Sequence, residues 1–265
     1  MSKRIWAQLR YAAALLATNT KAVFAHRASF WLQAGMMFLN NLIFVTTWFL
    51  FFRRFEEIGG WRLPDLLLLY GIVAASFGAC MCIFGGIGDL ARLVSDGDLD
   101  TYLTQPKSTL LGAVCARSVA FGWGDLASSV LLVGFSGYVA WSTLPYILLS
   151  VVTGTLIFFA TAVLAHSSAF WFGNTRELAH QWLQFTLTFS VYPQTVFGGV
   201  VRVLLFTVFP AGFLGYLPVT LVREARLVDL GYLLAGSGAY LVAAWTVFQV
   251  GLRRYESGNR ISLQV

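Results

Sequence analysis

Charge is what this sequence has least of. Aspartate, glutamate, lysine and arginine make up 11% of its residues, where a soluble domain carries about 25%. So few charges cannot cover a water-facing surface, and with 58% apolar residues and a mean hydropathy of +0.72 the solvent for much of the chain must be lipid. Signatures of chemistry are also missing. There is no Gly-x-x-x-x-Gly-Lys-Ser/Thr phosphate loop, no Gly-x-Ser-x-Gly elbow and no His-Glu-x-x-His pair. The chain is therefore expected not to be an enzyme by itself and to carry no cofactor or metal. The three histidines, His26, His166 and His180, are scattered. The three cysteines, Cys80, Cys82 and Cys115, fall in or beside apolar runs, where they read as small buried apolar residues. The formal net charge of +6 comes from basic residues between apolar runs, an arrangement suited to anionic headgroups and not to nucleic acid.

Residues 1–26 read as an amphipathic helix. Lys3, Arg10 and Lys21 share one direction at 100° per residue, and Ile5, Leu9, Ala12, Leu16 and Val23 lie opposite. A basic stripe facing an apolar stripe describes a helix lying in the membrane interface. A cleaved secretory signal fits less well, because the apolar stretch 11–17 is short and is followed by polar Thr18, Asn19, Thr20 and Lys21.

Apolar runs at 28–52, 66–87, 110–139, 147–172, from 181 to a break at Pro193, and 230–250 are spaced for a bilayer. The fold class expected is all-α integral membrane, one transmembrane domain of six transmembrane helices. Residues 196–220 are apolar but carry Arg202, Pro210, Pro218 and several glycines. They read as a re-entrant helical segment before the last span, with a seventh span as the alternative. With six spans, twelve of the eighteen lysines and arginines, including Arg253, Arg254 and Arg260, fall on the side of the N-terminus. Arg53, Arg54, Arg62, Arg202, Arg223 and Arg226 fall on the other. The positive-inside rule then places both termini in the cytoplasm. No inverted repeat relates the halves.

Residues 89–108 form the largest internal polar segment. Asp96, Asp98 and Asp100 alternate as at the start of a calcium loop, but the sixth and twelfth positions hold Thr101 and Lys107 instead of glycine and glutamate. The local reading is a short helix capped by Asp98 or Asp100 and ended by Pro106, a rigid handle for another protein. Within the spans, Asp125, Arg117 and His166 are ionisable residues. They line a substrate path or proton site, or they make hydrogen bonds between helices or to a partner subunit.

The order of parts resembles the permease subunits of ATP-binding cassette (ABC) type 2 exporters, in a branch often encoded beside an ATPase and a second permease. The resemblance covers nearly the whole chain. It rests on Gly59-Gly60-Trp61, Leu69-Tyr70-Gly71, the loop Asp96-Gly97-Asp98-Leu99-Asp100 with Leu103 and Pro106, Phe170-Trp171-Phe172-Gly173, Tyr192-Pro193, Phe197-Gly198 and Pro210-Ala211. That branch often has glutamate where this chain has Asp98. The resemblance implies two permease subunits, as a homodimer or heterodimer, on two ATPase subunits that bind Mg-ATP, in a bacterial cytoplasmic (inner) membrane. It further implies a coupling helix at 89–106 (Asp96, Gly97, Asp98, Leu99, Asp100, Leu103, Pro106) and a second ATPase contact at 173–180 (Arg176, Glu177). The outer gate would be shaped by Phe197, Arg202, Pro210 and Phe213. Two other functions stay open: a proton- or ion-coupled carrier using Asp125, and a membrane enzyme acting on lipid head groups through the aspartates.

Overall fold

The computed structural model describes residues 2–256, with side chains from Trp6 onward, Leu9 excepted; Lys3, Ile5, Leu9 and Arg260 therefore lie outside the described side chains. The described chain is helical, with one isolated β-bridge between Ile58 and Trp61. In order it forms α1 (Ser2–Ala25), α2 (Arg27–Phe52), α3 (Leu63–Phe84), a 3₁₀ turn (Gly85–Asp89), α4 (Leu90–Ser95), α5 (Asp100–Leu103), α6 (Thr109–Val114) and α7 (Phe121–Phe135). These are followed by α8 (Leu144–Ser167), α9 (Ala169–Phe172), α10 (Arg176–Ser190), α11 (Gly199–Thr207), a π-helical turn (Gly212–Tyr216), α12 (Leu217–Glu224) and α13 (Leu227–Leu252).

Among the described residues four helices are long and apolar enough to cross a membrane: α2, α3 continued through α4, α8 continued through α9, and α13; the bent pair α11 and Gly212–Glu224 makes up to five. The run expected at 110–139 is not continuous. It is split into α6 and α7 by residues 115–120, and α7, at 15 residues, spans about 22 Å. The split is held from both sides, since Asn19 Nδ2 donates to the Cys115 carbonyl (2.7 Å) and Val119 N–H donates to the Met81 carbonyl (3.2 Å). α10 is equally short and amphipathic, with Arg176, Glu177 and His180 in its first turns.

α3 is the central helix, and 83% of its apolar window is buried. Lipid tails are as apolar as leucine, so helices in a membrane associate through close packing and polar contacts. Both operate here. A Cβ on Gly78 of α3 would meet Asp125 Cβ and the Gly122 carbonyl at 2.7 Å, and a Cβ on Gly122 of α7 would meet the Gly78 carbonyl at 2.8 Å. The two glycines let the α3 and α7 backbones touch. Gly124 does the same between α7 and the Ala34 carbonyl of α2. The three cysteines are free and buried among these helices.

One end of the bundle gathers α1, the residues after α13 and the acidic loop. Tyr11 donates to Gln105 (3.0 Å), Gln8 accepts from Ser108 N–H (3.2 Å), and Tyr255 lies beside Asp100. Ala12 and Leu15 of α1 face the main core while Arg10 and Lys21 are exposed, so the apolar stripe of α1 is turned inward along its described length. At the opposite end Asp65, 3% exposed, ties three elements together. It accepts from Arg62 N–H (2.9 Å) and from the Tyr138 hydroxyl (2.6 Å), and Arg223 lies 3.6 Å away.

Candidate functional site

The acidic loop is a folded unit packed under the spans. α4 buries Leu90, Ala91, Leu93 and Val94 and packs against α8, α9 and α10. Gly97 stops it: at φ +78° the residue is left-handed, which glycine tolerates at least cost, and the turn closes with Leu99 N–H on the Leu93 carbonyl (3.1 Å). Leu99, fully buried, then occupies the N-cap position of α5, which sequence reasoning had assigned to Asp98 or Asp100; Asp100 instead lies in the first turn. The helix ends at Leu103, before Pro106. The aspartates surround Arg92, which reaches Asp98 at 3.3 Å, Asp96 at 3.6 Å and Asp89 at 3.9 Å. The exposed face of the unit is Thr101, Leu103, Thr104, Gln105 and Pro106. Burial, with Asp100 nearby acting in the same direction, pushes the Tyr255 phenol up to about 12, so it stays protonated where the end of α13 meets the loop. Arg92 and Tyr255 were not singled out from the sequence; a lone arginine within six residues of three aspartates was the available signal for Arg92.

The 173–180 segment adjoins this unit. Arg176 is half-buried, Glu177 is exposed in the first turn of α10, and α10 touches both α4 and the 3₁₀ turn.

The three intramembrane candidates go to two places. Arg117 falls in the break between α6 and α7, with its side chain 55% exposed, and pairs with Asp89 at 3.2 Å. His166 is fully buried near the end of α8, its ring 5.3 Å from that of His180. A Cβ on Gly88 would lie 3.5 Å from His180 and 3.9 Å from Arg117, so these groups adjoin one another at the loop end of the bundle. Asp125 is separate from them. It is 2% exposed and lies where α2, α3 and α7 meet. Asn41 Nδ2 donates to Asp125 Oδ1 and to Ser128 Oγ, both at 2.8 Å, and the Tyr70 hydroxyl donates to Asn41 Oδ1 at 2.9 Å. Asn41, Tyr70 and Ser128 are the site residues sequence reasoning missed; an Asn40-Asn41 pair inside the first apolar run was the signal.

The bent segment has its own polar closure. The Thr207 carbonyl at the end of α11 accepts from the Tyr240 hydroxyl (2.6 Å), and the Val208 carbonyl accepts from Trp182 Nε1 (3.1 Å). Phe197 and Phe213 are half-buried, Arg202 is exposed and Pro210 is buried at the 77° bend. Among the described residues no group of three or more His, Cys, Asp or Glu side chains is placed to hold a metal ion.

Apolar helices of membrane-crossing length around a close-packed central helix, with a folded polar loop beneath them, define a multi-pass membrane protein. The family model described as ABC-2 family transporter protein matches residues 36–259. The chain belongs to that family: it is an ABC transporter permease, a membrane subunit that works with ATP-binding subunits. No curated protein and no solved structure matches the chain.

Proposed function

We propose that this chain is the permease of an ABC exporter. Two permease subunits would stand on two ATPases in the cytoplasmic membrane of a bacterium, both termini inside, with Mg-ATP bound and hydrolysed only by the partners. The observation that carries this reading is the packing of the 89–108 unit. Its exposed tip, with Leu103 40% exposed, is available for docking. Its back is formed by α4, which is buried against α8, α9 and α10. An ATPase gripping the tip therefore pushes directly on two membrane helices, with Arg176 and Glu177 as a second foothold and Tyr255 passing the displacement to α13. Six crossings and a re-entrant segment are supported by contacts at three heights. A Cβ on Gly59, at the Asp65 end, would touch Thr195 at 2.7 Å. Thr207 meets Tyr240 midway along α13, and Arg223 is back beside Asp65. On this reading the chain dips from that end and returns to it, and Phe197, Arg202, Pro210 and Phe213 would shape the outer gate.

The test is reconstitution with the partner ATPase. Leu103→Asp is expected to weaken ATPase capture by tenfold or more while leaving the melting temperature of the permease unchanged, because Leu103 is not in the core. Unaltered capture and unaltered stimulation of ATP hydrolysis would remove the coupling assignment. The second reading, a proton-coupled carrier, has the buried Asp125 in its favour. It requires transport driven by a proton gradient in vesicles without ATP, abolished by Asp125→Asn. The head-group enzyme reading has less support, since Asp96 and Asp98 face Arg92.

A further inference from the structure

Asp125 borders a cavity of about 270 Å³ between α2, α3, α7 and α10, just below the range of drug-sized ligand pockets (about 300–1,000 Å³). It lies along the middle of α2 and α3, lined there by Asn41, Phe44, Tyr70 and Phe77. The carboxylate is half satisfied: Oδ1 accepts from Asn41, and Oδ2, buried, has no hydrogen-bond partner. A buried carboxyl group with one oxygen unpartnered is completed by a donor or a cation. The rest of the wall narrows the choice. Phe44 stacks on Tyr70 (centroids 4.7 Å apart, planes at 17°) and meets Tyr192 edge-on (6.1 Å, 85°). Val73, Leu187 and Val191 complete an aromatic and aliphatic lining. An inorganic cation needs a shell of several oxygens, and this wall is mostly carbon. Aromatic faces beside one carboxylate suit an organic ammonium, whose N–H groups reach the oxygen while its charge and body rest on the rings.

We propose that the cavity between Asp125, Phe44, Tyr70 and Tyr192 binds a small organic ammonium group with an apolar body, the N–H donors directed at the carboxyl group of Asp125. As a statement about the transported substrate this rests on the permease reading; as a binding site it belongs to this chain alone.

The experiment uses the full chain in phosphatidylcholine nanodiscs, without ATPase. Binding of benzylammonium and of benzyl alcohol is measured by titration calorimetry, with empty nanodiscs subtracted. The two probes share a ring and differ in the charged donor. Benzylammonium is expected to bind saturably and at least tenfold more tightly than benzyl alcohol. That preference should disappear in Asp125→Asn, and Ala74→Leu, which fills the cavity from the α3 side, should weaken both probes. Equal affinity of the two probes on the unaltered chain overturns the proposal, as does an undiminished preference in Asp125→Asn. Absence of saturable binding overturns it too, and assigns the cavity to water only. The comparison on the unaltered chain stands even if a variant fails to fold. Because no ATPase is present, failure here leaves the permease reading intact.

Discussion

Replacing Asn41 with leucine should loosen α2 from the bundle, and the size of the effect follows from what holds α2 in place. Only Phe30, Ala34 and Asn41 of its 26 residues are buried. Its apolar face has no advantage over lipid as a neighbour, so attachment relies on the Gly124–Ala34 backbone contact and on the three hydrogen bonds of Asn41. Interhelical hydrogen bonds in membranes average about 0.6 kcal/mol each, so three amount to about 2 kcal/mol. Asn41→Leu also strands the Tyr70 hydroxyl and Asp125 Oδ1, and a buried polar group left unpaired costs about 1–3 kcal/mol. Ser128 retains its bond to the Asp125 carbonyl (2.9 Å) and adds little. The expected loss is about 2–4 kcal/mol. It can be read from reversible SDS unfolding in mixed micelles followed by tryptophan fluorescence. Asn40→Leu, one residue away on the same helix, is the control and should stay within about 0.5 kcal/mol. Tyr70→Phe should cost less in the Asn41→Leu background than alone, since its acceptor is already gone. If Asn41→Leu unfolded like Asn40→Leu, or if the Tyr70 and Asn41 effects simply added, the polar hub would not be what docks α2.

Two further changes probe the packing that positions the site. Gly122→Leu forces side-chain atoms against the Gly78 carbonyl and Cys82 Sγ, 2.8 and 3.0 Å from its Cβ, and backbone cannot retreat as a side chain can. A loss of about 1–3 kcal/mol is expected in the same unfolding assay, whereas Gly134→Leu, on the same helix with nothing within 4 Å, should be neutral. At the break after α10, Pro193 has no N–H to give the Phe189 carbonyl four residues earlier, and the Tyr216 hydroxyl, 1% exposed, supplies that bond at 2.9 Å. Tyr216→Phe should cost about 1–3 kcal/mol, and that cost should shrink in a Pro193→Ala background, where the backbone can close the bond itself; an undiminished cost would refute the compensation.

Much of the acidic loop was legible because its signals are local. Pro106 follows the helix, and alternating aspartates stand out in a chain so poor in charge. The capping assignment missed because Leu99, drawn into the core, took the N-cap position and turned Asp98 toward Arg92. Asp125 was visible as a carboxylate in an apolar run, but its partners were not. Asn41 is 84 positions away and Tyr70 is 55, and no periodicity connects residues on different helices. Arg117 and His166 shared the intramembrane label with Asp125 only because each interrupts an apolar run. Their depth depends on where helices break, and the break at 115–120 is made by tertiary hydrogen bonds from Asn19 and to Met81.

Composition and order by themselves determined that this is a helical, lipid-embedded chain with a polar loop between its second and third apolar runs, because transfer free energies add along a sequence whatever its packing. Which helices touch, where the third run parts, and which polar groups meet Asp125 were decided only in three dimensions. Between helices in lipid there is no bulk hydrophobic drive to anticipate, and the outcome rests on a few glycine contacts and hydrogen bonds whose partners lie far apart in the chain.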